Sequence, residues 1–240
     1  LGVCHLGLGT LDEAIAEARR TFESSARLGD SRTLCSSYLW ARATQGNIPF
    51  EGLKSCYPCR PDDVMSTAHG VMAEGHWHTF HGRTEEALQA FERANKMIWK
   101  SHCVNAHTIM ILPNLAGALR VHADATQAKD PQQTDHLRRR ASRVAKWATW
   151  ITRFVPAAYP QSLRERSLIL LARGKLKSAL RFADRSCAVA EAQQAKFEYA
   201  QSEVARADIR RQLGIHGADD ELETAQAELN KFTRMAEEAS

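Results

Sequence analysis

A glycine followed five positions later by an alanine and a large apolar residue occurs three times, and this recurrence constrains the fold more than any other feature. The glycines and the pairs that follow them are Gly9 with Ala14-Ile15, Gly82 with Ala87-Leu88, and Gly174 with Ala179-Leu180. Glycine favours the left-handed conformation that ends many helices. The recurrence therefore predicts helical hairpins, in which one helix ends at the glycine and a second begins after a short corner with its alanine on the buried face.

The segment Glu74–Asn95 is the clearest hairpin. Its first helix is expected to end near Gly82 and its second to start near Thr84, whose hydroxyl suits the N-cap position. Gly75 and Gly82 remove side chains where two antiparallel helices approach or turn. One apolar stripe runs along the second helix: Ala87, Leu88, Phe91, Ala94 and Ile98.

Read from end to end, the chain predicts an all-α, single-domain, right-handed solenoid of about six helix pairs over residues 1–240, and no strand pattern occurs. Stacked pairs would leave a concave surface lined mainly by first helices. The fourth pair is atypical. It is predicted to contain an apolar helix from Cys103 to about Ala123, a mobile connection over 124–134, and a basic helix over 135–155.

Two patterns resemble known helical-repeat proteins. The combination of Leu1-Gly2-x-x-His5 or Glu74-Gly75-x-x-His78 with a later Ala-x-x-x-Ala or Ala-x-x-x-Phe resembles the tetratricopeptide repeat (TPR). The stretch 163–213, above all Ala195–Gln201, is similar to helical regions attached to bacterial signalling ATPases, MalT-type transcription activators, and multidomain kinases or nucleotide cyclases. The resemblance implies a regulatory module beside a catalytic or ATPase domain, and the opening without Met suggests a piece of a longer protein.

Composition limits the alternatives. The net charge of +4 over 240 residues argues for neither nucleic acid nor an anionic membrane surface. No apolar run approaches the roughly 18–20 residues that cross a bilayer, so no membrane segment is expected. Six cysteines in so long a chain are too sparse for a disulfide scaffold, which favours the reducing cytoplasm.

The predicted function is binding of a protein or peptide on the concave face. The candidate contact residues are polar and aromatic positions of first helices: Tyr38, Arg42, His76, His81, Asn105, Asn114, Arg166 and Tyr199. A small-molecule inducer in the same groove is an alternative function.

The basic helix offers another alternative. Arg138, Arg139, Arg140 and Arg143, with Trp147 and Trp150 nearby, could grip phosphates and stack bases, or dock an acidic protein surface. The competing interpretation makes the arginines a solvated face and buries the opposite stripe of Val144, Trp147, Ala148, Ile151 and Phe154. Between the two partners, an acidic protein is favoured over nucleic acid.

A metal site is the weakest alternative. Cys56, Cys59, His78 and His81 could form a zinc site. However, His76 and His78 point to different faces, and His78 occupies the position of a packing Tyr in the repeat, so packing is favoured and no cofactor is expected.

Catalysis is not expected either. Phosphate-binding Gly-x-x-x-x-Gly-Lys-Ser/Thr, Gly-x-Ser-x-Gly and His-Glu-x-x-His motifs are absent from the sequence, and no nucleophile has an identifiable base. Four cysteines on apolar stripes are predicted to be small core residues: Cys4, Cys35, Cys103 and Cys187.

Overall fold

The structure, a computed structural model, describes residues 10–28, 32–51 and 63–238; over these ranges the chain is helical and contains no strand. This confirms the all-α prediction. The described helices are α1 (Leu11–Leu28), α2 (Arg32–Ala43), α3 (Val64–Phe80), α4 (Thr84–Lys100), α5 (Ile111–Thr126), α6 (Pro131–Ile151), α7 (Tyr159–Leu171), α8 (Leu176–Ala192), α9 (Lys196–Gln212) and α10 (Ala218–Glu238). Two short 3₁₀ turns, Thr152–Phe154 and Pro156–Ala158, join α6 to α7. The predicted corner at Gly9 and the pair Cys56 and Cys59 lie outside the described residues.

The chain divides into two compact units. The main segment of unit 1 is Thr10–Ala118 and that of unit 2 is Leu119–Arg234. Within unit 1, α1 packs on α2, α2 on α3, and α3 on α4. Within unit 2, α6 packs on α7, α7 on α8, and α8 on α9, while α7 also contacts α9. The arrangement of the whole chain as one domain remains a prediction.

Six helices end in the same way. Each ends at a residue with positive φ, and the next amide donates a hydrogen bond to the carbonyl five residues back, which satisfies one of the last free carbonyls of the helix. The six bonds are Gly46 to Ala41, Arg83 to His78, Cys103 to Ile98, Lys175 to Leu170, Ala195 to Ala190, and Ile215 to Arg210. At three of these ends, the helices on the two sides of the corner pack on each other: α3 on α4, α7 on α8, and α8 on α9.

Glycine serves two different purposes in the clearest hairpin. Gly82 has a φ of 68°, and nothing lies within 4 Å of the place where its Cβ would be, so the residue is needed for its backbone conformation. Gly75 on α3 has an ordinary helical backbone, but an added Cβ would lie 2.7 Å from the ring of Phe91 on α4. Both expected roles are confirmed, because one glycine turns the chain and the other lets the helices approach.

The predicted apolar stripe of α4 is also confirmed, since all five of its residues are buried. The equivalent alanines of the unit 2 hairpin, Ala179 and Ala183, are buried against Ile209 of α9. Alanine at these contacts permits close packing of helices. Two small serines, Ser186 of α8 and Ser202 of α9, also meet between these helices. Ser186 lies 2.8 Å from Ser202 and donates to the Pro160 carbonyl at 2.8 Å.

The N-cap prediction at Thr84 is wrong by one residue. Thr84 is the first residue of α4, and the cap position belongs to Arg83, whose side chain makes no capping bond. At the start of α3, Asp63 Oδ1 accepts from the Ser66 amide at 3.0 Å and caps the helix.

The long mobile connection predicted over 124–134 is wrong. Helix α5 continues to Thr126, and α6 begins at Pro131, so residues 127–130 alone join them. Asp130 caps α6 by accepting from the Gln133 amide at 2.9 Å, and Pro131 takes the first position, where a helix needs no N–H. The apolar helix before it starts at Ile111 rather than at 103, which places Pro113 harmlessly in the first turn.

Candidate functional site

Two of the candidate residues of unit 1 lie in its interior. Tyr38 and Asn114 are buried, and the Asn114 amide donates to the Tyr38 hydroxyl at 3.3 Å. The Tyr38 ring packs 5.3 Å from His69 and 5.8 Å from His76, measured between ring centroids. These contacts satisfy polar groups inside the core, so Tyr38 and Asn114 are structural residues and do not form an open partner surface.

His76 lies between Tyr38 and Phe91, whose ring centroid is 5.4 Å away. Its Nε2 is buried and has no hydrogen-bond partner within the part of the chain that the structure describes. Burial, and then the positive charge of half-buried Arg42, lower the pKa of His76 to about 3. His76 is therefore neutral at physiological pH.

His81 and Asn105 are exposed, but each stabilises a chain turn. His81 caps the end of α3, with its Nδ1 2.9 Å from the Trp77 carbonyl and its ring centroid 4.0 Å from that of Trp77. Asn105 Oδ1 accepts from the amides of His107 and Thr108 at 2.8 and 3.1 Å, which holds the turn before α5. Both side chains have local structural roles.

The packing interpretation of His78 is supported. Its side chain is buried, its ring packs 5.6 Å from Phe50, and its Nε2 lies 3.6 Å from Glu74. Among the residues with described side chains, no three His, Cys, Asp or Glu residues are grouped as metal ligands. Cys56 and Cys59, the other half of the zinc hypothesis, lie outside those residues.

A cysteine and a histidine meet in unit 1, where Cys35 Sγ lies 3.7 Å from His69 Nδ1. The same Nδ1 is 2.8 Å from the Met65 carbonyl, so it donates its proton there and is unable to accept the thiol proton. Burial also lowers the pKa of His69. In unit 2, burial and then Glu203 raise the pKa of the Cys187 thiol, which keeps it protonated at neutral pH. Neither cysteine has the environment of a nucleophile.

The candidates of unit 2, Arg166 and Tyr199, lie on the helices that form a cavity but do not line it. The Arg166 guanidinium lies over Phe182, 4.0 Å from the ring centroid, and burial lowers its pKa. Burial, and then Glu203, raise the pKa of Tyr199. Whether Arg166 and Tyr199 contact a partner stays a prediction.

The cavity of unit 2 has a volume of about 360 Å³ and lies along α5, α7 and α9, with α10 beside it. We call it the groove. Its lining residues are Arg120 from α5; Arg164, Glu165 and Leu168 from α7; Gln201, Val204, Ala205 and Asp208 from α9; and Leu222 and Leu229 from α10. The lining includes both apolar and charged side chains. The aromatic contact between Phe197 and Phe232, with centroids 5.7 Å apart, holds α10 against α9.

The charges in the wall of the groove are paired. Arg120 Nε and Nη2 lie 3.1 and 3.5 Å from the two carboxylate oxygens of Glu165. Burial acts to lower the Arg120 pKa, but the charge and hydrogen bonds of Glu165, with a contribution from Asp124, hold it above its ordinary value. Arg164 forms an ion pair with Glu198 in which both side chains are less than a tenth exposed. The groove therefore presents fixed polar groups whose orientation is set before any ligand arrives.

Two of the four arginines predicted as one basic patch are ion-paired within the chain. Arg138 turns toward the α5–α6 corner, where its Nη2 lies 3.2 Å from Asp124 and 2.9 Å from Gln127. Arg139 pairs with Asp135 at 3.0 Å. Arg140 is half-buried, and Arg143 is exposed. Arg138 thus stabilises a corner, which makes it unsuitable as a contact for phosphates.

The predicted buried stripe of α6 is wrong in its largest members. The described buried positions are Thr134, Leu137, Ala141, Ala145, Ala148 and Thr149. Trp147 and Phe154, which were predicted on the stripe, are 40% and 69% exposed, and the neighbouring Trp150 is 56% exposed. The alanines face the interior because α6 approaches its neighbours closely, so the aromatic side chains point outward.

Comparison with known proteins concerns the fold alone. No protein-family model matches the sequence, and no curated protein matches it. The crystal structure of BtubC (BKLC) from P. vanneervenii is similar, with a TM-score of 0.55 and 15% sequence identity over 94% of this chain and 90% of that one. No described helix is both long enough and apolar enough to span a membrane.

Proposed function

We propose that the chain is a non-catalytic protein-interaction scaffold of about six TPR-like hairpins in a right-handed solenoid, and that the groove of unit 2 holds a protein or peptide partner. One observation carries the proposal: alternate helices α5, α7 and α9 direct their side chains into a single cavity of about 360 Å³. Repeat scaffolds bind partners on surfaces to which every repeat contributes one helix.

The chemistry of the wall suits a peptide. Leu168, Val204 and Leu222 offer apolar contacts, and the Arg120–Glu165 pair offers both a donor and an acceptor beside them. A peptide needs both kinds of contact, because its apolar side chains alternate with backbone amides and carbonyls. Since the ion pairs already fix these side chains, little conformational entropy is lost when a partner binds.

We further propose that the chain is the sensor or partner-binding region of a larger cytoplasmic signalling or transcription-regulating protein. The similarity of Ala195–Gln201 to repeat regions beside ATPase, kinase and cyclase domains supports this context. Occupation of the groove would then shift the conformational equilibrium of a neighbouring catalytic or ATPase domain, provided that the partner binds its two states with different affinity.

Site-specific photocrosslinking tests the proposal. A benzophenone amino acid replaces Gln201, which lines the groove, and in a matched control replaces Lys177, which is exposed on α8. We expect irradiation in the source cell to give a discrete protein adduct from position 201 and none from position 177. Equal crosslinking from both positions, or no adduct from position 201, would contradict a protein partner in the groove.

A small-molecule sensor is a second candidate function, because the cavity volume lies within the roughly 300–1,000 Å³ typical of ligand pockets. Thermal unfolding separates the two functions. A metabolite that raises the melting temperature of the purified chain, and loses this effect in Gln201→Leu, would favour the sensor.

A further inference from the structure

We propose that α6 and the turn after it dock an acidic amphipathic helix of a partner protein. The surface consists of Arg143, Lys146, Trp147, Trp150, Arg153 and Phe154, and we call it the α6 surface. It contributes no residue to the groove, so this inference goes beyond the proposed function and stands independently of it.

The first observation is the concentration of exposed aromatic rings. Among the described side chains, five large hydrophobic ones are strongly exposed: Leu28, Phe80, Trp147, Trp150 and Phe154. Three of these five lie within eight consecutive residues of unit 2. Scattered exposed apolar residues are normal, but large apolar side chains grouped on one surface are typical of an interaction site.

The second observation is the shape of the α6 surface. Arg143, Trp147 and Trp150 are separated by four and three residues, so they follow one line along α6, opposite buried Ala141 and Ala145. Steps of four and three are the spacing that faces a second helix in a coiled coil. The line is roughly 16 Å long from Arg143 to Phe154 at the helical rise per residue. A long, narrow stripe matches a helix better than it matches a flat membrane.

The third observation is uncompensated positive charge. Arg138 and Arg139 have carboxylate partners, Asp124 and Asp135. Arg143, Lys146 and Arg153, in contrast, form no ion pair with any side chain that the structure describes. These cations border the aromatic stripe, so the complementary partner has an apolar stripe bordered by Asp or Glu.

The position of Arg153 favours a carboxylate over a nucleic-acid base. Its Cζ lies 5.3 Å from the Trp150 ring centroid and 4.6 Å from that of Phe154. The guanidinium therefore takes up part of the ring surface that stacked bases would need. Arg153 is exposed, and a guanidinium stacked on a ring can still form a bidentate bond with a carboxylate through its N–H groups.

The test uses a defined peptide. A fluorescein-labelled helix of about 20 residues, long enough to be helical in water, carries Leu along one stripe and Glu on both borders. Its control has Lys in place of every Glu. Fluorescence anisotropy with the full chain at about 0.1 M salt is expected to show saturable binding of the acidic peptide alone. This binding should weaken as salt is raised, because exposed charges are screened.

Variants locate the binding surface. We expect Trp150→Ala to weaken binding about tenfold, as for an aromatic anchor, and Arg153→Gln to weaken it several-fold, whereas Trp150→Phe retains most of the affinity. Matched controls are Phe80→Ala, an exposed aromatic of unit 1, and Arg181→Gln, an exposed cation of α8. Both should bind like the unchanged chain. Far-UV circular dichroism confirms that every variant is folded.

Several outcomes would overturn the proposal. These are no saturable binding of the acidic peptide, equal binding of the Lys peptide, or unchanged affinity in Trp150→Ala. Two further probes address the competing partners: polyuridylate and vesicles of phosphatidylserine with phosphatidylcholine. If the chain binds either probe more tightly than the peptide, and Trp150→Ala abolishes that binding, the α6 surface belongs to another kind of partner. Polyuridylate would assign it to nucleic acid, and the vesicles would assign it to a membrane.

Discussion

The buried ion pair between Arg164 and Glu198 gives the sharpest test of how unit 2 is held together. It joins α7 to α9, and its side chains are only 9% and 8% exposed. Removing one member of a buried pair leaves the other charge without compensation, which costs about 3–5 kcal/mol. We expect Glu198→Ala to lose that much, and Glu198→Gln, which keeps a hydrogen-bond acceptor, to lose about 2–3 kcal/mol. Either loss is large against the roughly 5–15 kcal/mol that stabilises a domain.

Urea unfolding of the single and double variants measures the effect. Replacing both members with apolar residues, as in Arg164→Met with Glu198→Leu, removes both charges and should restore stability to within about 1 kcal/mol of the original chain. The two single losses together should then exceed the loss in the double variant by at least about 5 kcal/mol, which is the coupling energy between the two sites. Because two compact units need not unfold together, amide hydrogen exchange in α7 and α9 accompanies the unfolding curves.

The exposed pair of Arg139 with Asp135 is the matched control, since both side chains are 64% exposed. Arg139→Gln should cost at most about 0.5 kcal/mol. Two results would refute this reasoning: a loss in Glu198→Gln no larger than in this control, or a double variant as unstable as Glu198→Ala. Either would mean that neither buried charge depends on the other for compensation.

Two further predictions concern unit 1. Gly75→Ala should lower the free energy of unfolding by about 1–2 kcal/mol, because the new Cβ would lie 2.7 Å from the buried Phe91 ring. This net loss is expected even though alanine favours the helix over glycine by about 1 kcal/mol. Phe91→Leu should relieve part of this loss in a double-mutant cycle, and a stabilised Gly75→Ala would contradict the close approach. In the folded chain the pKa of His76 is lowered to about 3, so this side chain stays neutral down to about that pH. In the unfolded chain the same side chain takes up a proton below about pH 6.5. The free energy of unfolding should therefore fall as the pH drops from about 6.5 to about 3, by up to about 1.4 kcal/mol per pH unit. Urea unfolding at pH 5 and 7.5 should show a flatter dependence for His76→Phe but not for the exposed control His136→Gln; equal slopes would refute it.

The hairpin corners could be predicted only where glycine occupies the positive-φ position. Gly82 and Gly174 identified two of them. The same conformation occurs at His102 and Gln194, which have φ values of 54° and 56°. A non-glycine residue has no sequence signal for this conformation, because the surrounding packing imposes it.

The corner between α5 and α6 had a signal that was missed. Asp130 is the N-cap residue of α6, Pro131 occupies the first helical position, and the Gln133 amide donates to the Asp130 side chain. This is the order of residues expected at a helix start. The polar composition of the segment favoured a loop instead. Local capping chemistry was the better guide, because it specifies particular backbone bonds, whereas polarity indicates only exposure.

The groove could be predicted to the level of helices and no further. Arg120 and Glu165 are 45 residues apart in sequence, and Arg164 and Glu198 are 34 apart. No local pattern reveals that such charges meet, and a buried arginine looks like a surface residue until its partner is known. The candidates chosen on α7 and α9 therefore lay beside the groove rather than in it.

Small residues inside the helix contacts explain why both proposed surfaces exist. On α6 the interior positions are taken by Ala141, Ala145 and Ala148, which bring the helix too close to its neighbours to leave room for a tryptophan. The large side chains are consequently displaced to the outer face, where Trp150 is more than half exposed. On α9 the buried Ala200 and Ala207 similarly leave the wider Gln201, Val204 and Asp208 to line the groove. If close packing is the cause, enlarging an interior alanine, as in Ala145→Leu, should separate α6 from α7 and change the α6 surface without altering any of its own residues.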